Sequence, residues 1–493
     1  MSEAGNLAGE TVAVLPVGRG TFDVAFAETL LARAFALLER TGATLVGPRD
    51  LLLDEAAVRA ALDALPSDAV TRTLVLQATF TDAAATVRIA ERHGDRPLAI
   101  WAFPEPREGG RLRLNAFCGL NLAAHALGLI DRRAGMLYAA PDDDALPAVE
   151  ALVAGHGVPP VPAVGPMAVD GISPEAARAA NAIHGARIGR IGEHPDGFDT
   201  CRYDVRRLDA LARVTVEPIA LDDLFDTAMR AGARDVAAAR ATAESDCGDL
   251  SGLDADELDR SLRLRCALGE MREAGRYDAF AVRCWPECFT EHGGAVCGPV
   301  SMMAEGGVPC ACEADVYGAV TSLMMQALAD APAFLVDLVD LDAEDGTGVI
   351  WHCGQAPVSM AAEARAVEAT EGGPREFGEA AAPALARARA TVHTNRRMAL
   401  LYEFALRPGR VTLARISQAR GRHALVIAGG EMLDRPMAFT GTSGTLRFDA
   451  SIPRVMEAVL GGGVEHHMTL VYGDHLAALR EVATELGLPV LEI

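Results

Sequence analysis

Two carboxylates and a pair of imidazoles carry the chemistry that this chain displays. Glu313 lies in Val308-Pro-Cys-Ala-Cys-Glu313-Ala-Asp315, a turn-bounded segment expected to be buried. Asp337 interrupts the apolar run Ala333-Phe-Leu-Val-Asp337-Leu-Val, and His466-His467 stand far downstream. A carboxylate moved into such surroundings loses hydration and must recover it from a partner. A divalent cation is one such partner. Two carboxylates and an imidazole would leave coordination positions open for the oxygens of a second molecule, such as a sugar. Each residue alone has a plainer account. An Asp in an apolar strand is often held by hydrogen bonds, and Glu313 could cap a helix over residues 314–329, since acids favour helix N-termini.

The elements that must position these groups begin with a β/α rhythm. Strands are expected at Thr11-Val-Ala-Val-Leu-Pro-Val, Thr44-Leu-Val, Thr73-Leu-Val-Leu-Gln, Leu98-Ala-Ile-Trp-Ala-Phe and Gly135-Met-Leu-Tyr-Ala, with helices such as 22–41 and 82–93 between them. That alternation implies a parallel, doubly wound sheet whose ligands sit beyond the strand C-termini. Residues 155–171, rich in Gly, Pro and Val, read as a linker. A second unit of the same kind follows, with strands at 186–192 and 277–284 and helices over 221–274 and 316–329. After about residue 345 short strand-like pieces dominate, which suggests an antiparallel region. The fold class is therefore α/β: two doubly wound parallel-sheet domains (1–160 and 161–344) and a mainly antiparallel, barrel-like β domain (345–493). Both carboxylates are assigned to the central domain and the histidine pair to the last.

Post-strand loops commonly carry binding groups on a rigid scaffold. They hold Arg19, His194, Trp285 and Glu287, the candidate substrate contacts. Composition narrows the chemistry further. All 45 basic residues are arginine, so lysine Schiff-base enzymes, pyridoxal enzymes and Walker-type nucleotide sites are excluded. A net charge of −23 argues against nucleic acid or anionic membranes as partners. No apolar run is long enough to span a membrane, and Met1-Ser-Glu-Ala-Gly lacks the features of a secretory signal. Ten cysteines spread through such a chain suggest reduced thiols and a cytoplasmic location.

Glu313 and Asp337, 24 residues apart, together with the terminal histidine pair resemble the L-fucose isomerase and L-arabinose isomerase superfamily, closest to its fucose-isomerase-like branch. The likeness is strongest over 192–203 and 284–361. It implies a metal-dependent aldose–ketose isomerase that works through a cis-enediol(ate). Mn²⁺ would be held by Glu313, Asp337 and His467, with His466 as the alternative, because neighbouring strand residues face opposite ways. Glu313 and Asp337 would also act as acid and base. His352, in Trp351-His352-Cys353-Gly354, would be a further ligand or a substrate contact. The resemblance also implies a homo-hexamer in which residues near 77–82 or 105–113 of one subunit cover a neighbour's site. An alternative substrate is a sulfonated or otherwise anionic hexose such as sulfoquinovose, since the many arginines could pair with its anion. Sugar binding without turnover on the same scaffold is a third reading.

Overall fold

In the computed structural model the described residues are 7, 9–66, 68–247, 250–362 and 400–493, with the backbone of 387–388, 391–393 and 396–398. The N-terminal pentapeptide read above, and residues 248–249 within the helical region expected over 221–274, lie outside them.

The first sheet is parallel, in the order β2-β1-β3-β4-β5: β1 (Thr11–Val17), β2 (Thr44–Val46), β3 (Arg72–Gln77), β4 (Leu98–Ala102) and β5 (Gly135–Tyr138). Helices α1 (Val24–Arg40), α2 (Glu55–Ala64), α3 (Ala84–His93), α4 (Ala116–Leu129) and α5 (Leu146–Val153) connect or flank these strands. Asp23 caps α1 by accepting the Phe26 N–H, and Ala27, Leu30, Leu31, Ala34 and Leu38 form the buried stripe. Helix α4 is different: residues 116–128 are all buried. It packs on β3 and β4 and also on a strand of the third sheet. Gly119 permits this approach, because a Cβ there would lie 2.7 Å from the Gln77 amide nitrogen.

The second sheet is also parallel, in the order β7-β6-β8-β9: β6 (Arg187–Ile191), β7 (Thr215–Ile219), β8 (Ala279–Val282) and β9 (Cys310–Cys312). Its helices are α6 (Pro174–Ile183), α7 (Val205–Ala212), α8 (Leu221–Arg230), α9 (Ala233–Cys247), α10 (Ala255–Gly275), α11 (Cys297–Glu305) and α12 (Val316–Ala329).

The third sheet is mostly antiparallel. Its strands are β10 (Phe334–Asp342), β11 (Thr347–His352), β12 (Arg387–Ala388), β15 (Tyr402–Ala405), β16 (Gly409–Ser417), β17 (Ala424–Met432), β18 (Thr442–Phe448), β19 (His467–Tyr472) and β20 (Val490–Glu492); β13 (Thr391–His393) and β14 (Arg396–Met398) pair separately. The order is β12-β15-β18-β11-β10-β19-β16-β17-β20. A further pairing of β17 with β18 joins six strands in a ring of antiparallel pairings. Two short helices, α13 (Ile452–Met456) and α14 (Leu476–Glu485), complete this region.

Strand β10 pairs with β11 and β19, so Asp337 belongs to the third sheet by hydrogen bonding. The sequence reading placed it with Glu313 in the central segment. The two carboxylates thus come from different sheets, and α12 brings them together by packing on β8 and β9 and also on β16 and β19.

A buried lock fixes the first sheet to the third. Asp340 of β10 accepts from Arg107 Nε at 2.5 Å, from the Glu105 N–H at 3.4 Å and from the Tyr138 hydroxyl. Its side chain is 3% exposed. Glu105 in turn accepts the backbone N–H groups of Arg113, Leu114 and Asn115, shaping the approach to α4. Removing one partner of a buried ion pair strands the other, at about 3–5 kcal/mol. Asp340→Ala is therefore expected to lower the thermal midpoint by several degrees, read by calorimetry; an unchanged midpoint would deny the lock that role.

Candidate active site

Of the candidate residues, Arg19, Trp285, Glu313, Asp337, His352 and His466 line one cavity of about 340 Å³ where the C-terminal edges of the two parallel sheets meet the third. Arg19 follows β1, Phe80 follows β3, Trp285 follows β8 and Glu313 follows β9. Asp337 lies on β10, His352 ends β11, His467 opens β19 and His466 immediately precedes it.

Glu313 reaches the cavity because the chain turns sharply after β9. Glu313 and Ala314 both adopt left-handed backbone conformations, with φ of 59° and 54°. For residues other than glycine these conformations are disfavoured and cluster at functional sites. The helix cap is Asp315, not Glu313: its side chain accepts the Gly318 N–H at 2.8 Å. Glu313 is thereby free to face inward, where Trp285 Nε1 donates to its Oε1 at 3.3 Å.

Register brings His467 directly across from Asp337 on β10. His467 Nε2 stands 3.6 Å from Asp337 Oδ1 and 3.7 Å from Glu313 Oε2. His466 Nε2 lies 3.1 Å from Glu313 Oε2 and 3.9 Å from Asp337 Oδ1. Both imidazoles therefore face the carboxylates, stacked with centroids 3.9 Å apart. This corrects the expectation that the pair would point to opposite sides. Strand β19 begins at His467, so His466 lies outside it and the alternation of strand residues does not govern its direction.

The carboxylate–imidazole pairs are spaced as the ligands of a divalent cation are. Donors held at about 2.2 Å around an octahedral ion are roughly 3.1 Å apart when adjacent and roughly 4.4 Å when opposite. The four carboxylate–imidazole separations above fall inside that range, and ligand atoms come within 4.8 Å of one another in two sets that share His467, one with Glu313 and His466 and the other with Asp337 and His352. Asp337 Oδ1 and His467 Nε2 are buried and lack a hydrogen-bond partner, which a cation between them would supply. Burial tends to raise the Glu313 pKa, but the hydrogen bond to His466 and the nearby imidazoles outweigh it and hold the carboxyl at about 2. Burial pushes Asp337 up to about 7, with His467 opposing and the Glu313 charge reinforcing the shift. Cys118 and Cys201 also lie within reach of these donors. Burial lifts both thiols well above their ordinary range, which leaves them neutral at physiological pH.

His352 presents its ring beside His467, centroids 5.8 Å apart. Its Nδ1 accepts the Cys353 N–H at 2.9 Å, so the neutral ring carries its proton on Nε2, a buried donor without a partner. The Arg19 guanidinium lies over the Trp285 ring at 4.6 Å and forms no ion pair among the described residues. Glu287 and His194 stand apart from the cavity. Glu287 is clamped by Arg283 at 2.7 Å, and the His194 carbonyl accepts from the same arginine at 3.4 Å. Phe80 and Leu112, from segments the resemblance assigned to a neighbour's site, line this chain's own cavity.

The sequence reading missed the groups behind His467. Asp315 Oδ2 is 2.9 Å from His467 Nδ1, and Arg415 of β16 binds both oxygens of Asp315. A charged residue within the apolar run of β16 was the available signal.

Known proteins resemble this chain along nearly its whole length. A curated protein named "Sulfoquinovose isomerase" from Alkalicoccus urumqiensis is 30% identical over 491 residues, covering 98% of this chain and 99% of its own. The chain belongs to the fucose/sulfoquinovose isomerase family. Residues 13–150 match the family model "Fucose/sulfoquinovose isomerase, N-terminal domain", and residues 350–493 match "L-fucose isomerase, C-terminal domain". Proteins of the same name from Clostridium sp. (strain MSTE9) and Priestia aryabhattai are 30% and 27% identical, each covering 97% of this chain and 98% of their own. Like other members of this isomerase family, the chain is an aldose–ketose isomerase.

Proposed function

We propose that this isomerase acts on a sulfonated aldohexose, sulfoquinovose, with Mn²⁺ held by Glu313, Asp337 and His467. One observation carries the reading: the unpaired guanidinium of Arg19 lines the same cavity as Glu313 and Asp337, and His467 Nε2 stands 3.7 Å and 3.6 Å from those two carboxylates. The full-length relatives carry the same substrate in their names. A carbohydrate anion set against Arg19 would gain charge-assisted hydrogen bonds that a neutral sugar cannot make.

The bound cation would polarise the carbonyl and neighbouring hydroxyl of the open-chain sugar and stabilise the developing enediolate charge. The side chains have separate tasks. Glu313 remains ionised, its orientation fixed by Trp285. Asp337, together with Glu313, would exchange a proton at the carbon and oxygen atoms of the reacting pair as the sugar passes through a cis-enediol(ate). His352 donates from Nε2 to a substrate oxygen, which suits contact with sugar better than ligation. His466 holds Glu313 and is the alternative ligand.

Titration of Asp337 gives the sign of a pH effect. A cation must displace the proton that the buried carboxyl retains below about 7. Mn²⁺ affinity is thus expected to weaken by about tenfold per pH unit as pH falls below neutrality, measured by calorimetry between pH 5 and 8. A flat profile would reject that proton competition.

The ten free thiols support placement in a reducing cytoplasm, and the resemblance supports a homo-hexamer. No helix among the described residues is long and apolar enough to cross a membrane. The substrate test is a side-by-side NMR assay of sulfoquinovose, L-fucose, D-arabinose and L-arabinose with Mn²⁺ present. Preferred conversion of sulfoquinovose to its 2-ketose is expected. Preference for a neutral sugar would overturn the substrate assignment, and saturable binding without any isomerisation would favour a sugar-binding role.

A further inference from the structure

We infer that Asp315 is a positioning residue that sets the tautomer and ring orientation of His467, and so governs how tightly the site holds a divalent cation. The inference rests on the cation reading of Glu313, Asp337 and His467. Asp315 and Arg415 are 1% and 0% exposed, and the guanidinium binds both carboxylate oxygens. Arg415 is anchored in turn by the Thr200 carbonyl at 3.2 Å. A carboxylate ionised by such a partner is an acceptor only. The His467 Nδ1 that meets it at 2.9 Å must therefore carry the ring proton. That leaves the lone pair on Nε2, the atom facing Asp337 and Glu313 with no hydrogen-bond partner. Asp315 also caps α12, so one side chain ties the helix that packs against two sheets to the rotation of the imidazole. A carboxylate behind a ligating histidine fixes its tautomer and typically contributes 10–100-fold in metal affinity.

The test is Mn²⁺ binding by calorimetry to the intact chain, with no reliance on turnover. Asp315→Asn should weaken binding by 10–100-fold. Its amide can donate as well as accept, so the tautomer is no longer enforced. Because that change strands the buried Arg415, Asp315→Asn/Arg415→Gln is measured alongside it and should show the same loss. In ¹⁵N-histidine-labelled, metal-free protein, the resonance missing from His467→Gln identifies the ring. It should report a proton on Nδ1 in the parent and a shift toward Nε2 in both variants. Parent-like affinity in the folded double variant, or an Nε2 proton in the parent, would overturn the inference. His467→Gln and Asp337→Asn separate this from the underlying reading: if they too bind Mn²⁺ normally, the site itself is misassigned.

Discussion

Glu313→Gln and Asp337→Asn should each fold and yet lose at least ~10³-fold in turnover. The two substitutions keep side-chain size and remove one negative charge each. Glu313 is ionised and 14% exposed at its side chain; Asp337 is 10% exposed and carries an orphaned oxygen. Neither carboxylate is paired with an arginine among the described residues, so removing its charge strands no buried cation. General acid–base catalysis alone contributes about 10²–10⁴-fold, and a ligand of altered charge also weakens the polarisation that a bound cation supplies. Circular dichroism would verify folding, and turnover would be assayed at saturating Mn²⁺. Full activity in either variant would remove that residue from the chemistry.

Arg19→Met should reduce kcat/KM for sulfoquinovose by ~10²-fold, from the loss of about 3 kcal/mol of charge-assisted hydrogen bonding. The methionine retains an apolar stem over Trp285. Arg19 forms no ion pair among the described residues, and its charge acts at longer range on Asp82 and Glu313. Slow turnover of an uncharged aldose should change far less, so the ratio between the two substrates is the informative quantity. An equal loss on both would make Arg19 a general wall of the cavity and leave the sulfonate to another group.

Much of this arrangement was legible in the sequence, for identifiable reasons. Strand β1 and helix α12 followed from local patterning: a short apolar run in one case, and in the other a run expected over 316–329, the bounds observed. Helix α4 escaped because it is buried on every side, so its sequence has no polar face to set the period. The three-residue strand β9 is too short to show a pattern. Which sheet β10 joins depends on partners at 347–352 and 467–472, and no property of its own residues encodes that choice.

The site divides in the same way. Glu313, Asp337 and the histidine pair stood out because polar groups in apolar segments require an explanation. The direction of His466 did not, since it depends on where β19 begins. Asp315 and Arg415 lie 100 residues apart in the chain, and each alone resembles an ordinary helix cap or strand charge. Glu287 and His194 shared the correct kind of loop, but the first is occupied by Arg283 and the second stands outside the cavity.

The most direct measurement is anomalous diffraction at the manganese edge from crystals of the protein soaked in Mn²⁺. A single peak bonded to Glu313, Asp337 and His467 Nε2, inside the cavity that Arg19 lines, is the predicted result. A peak elsewhere, with these three side chains unligated at full Mn²⁺ occupancy, would contradict the account.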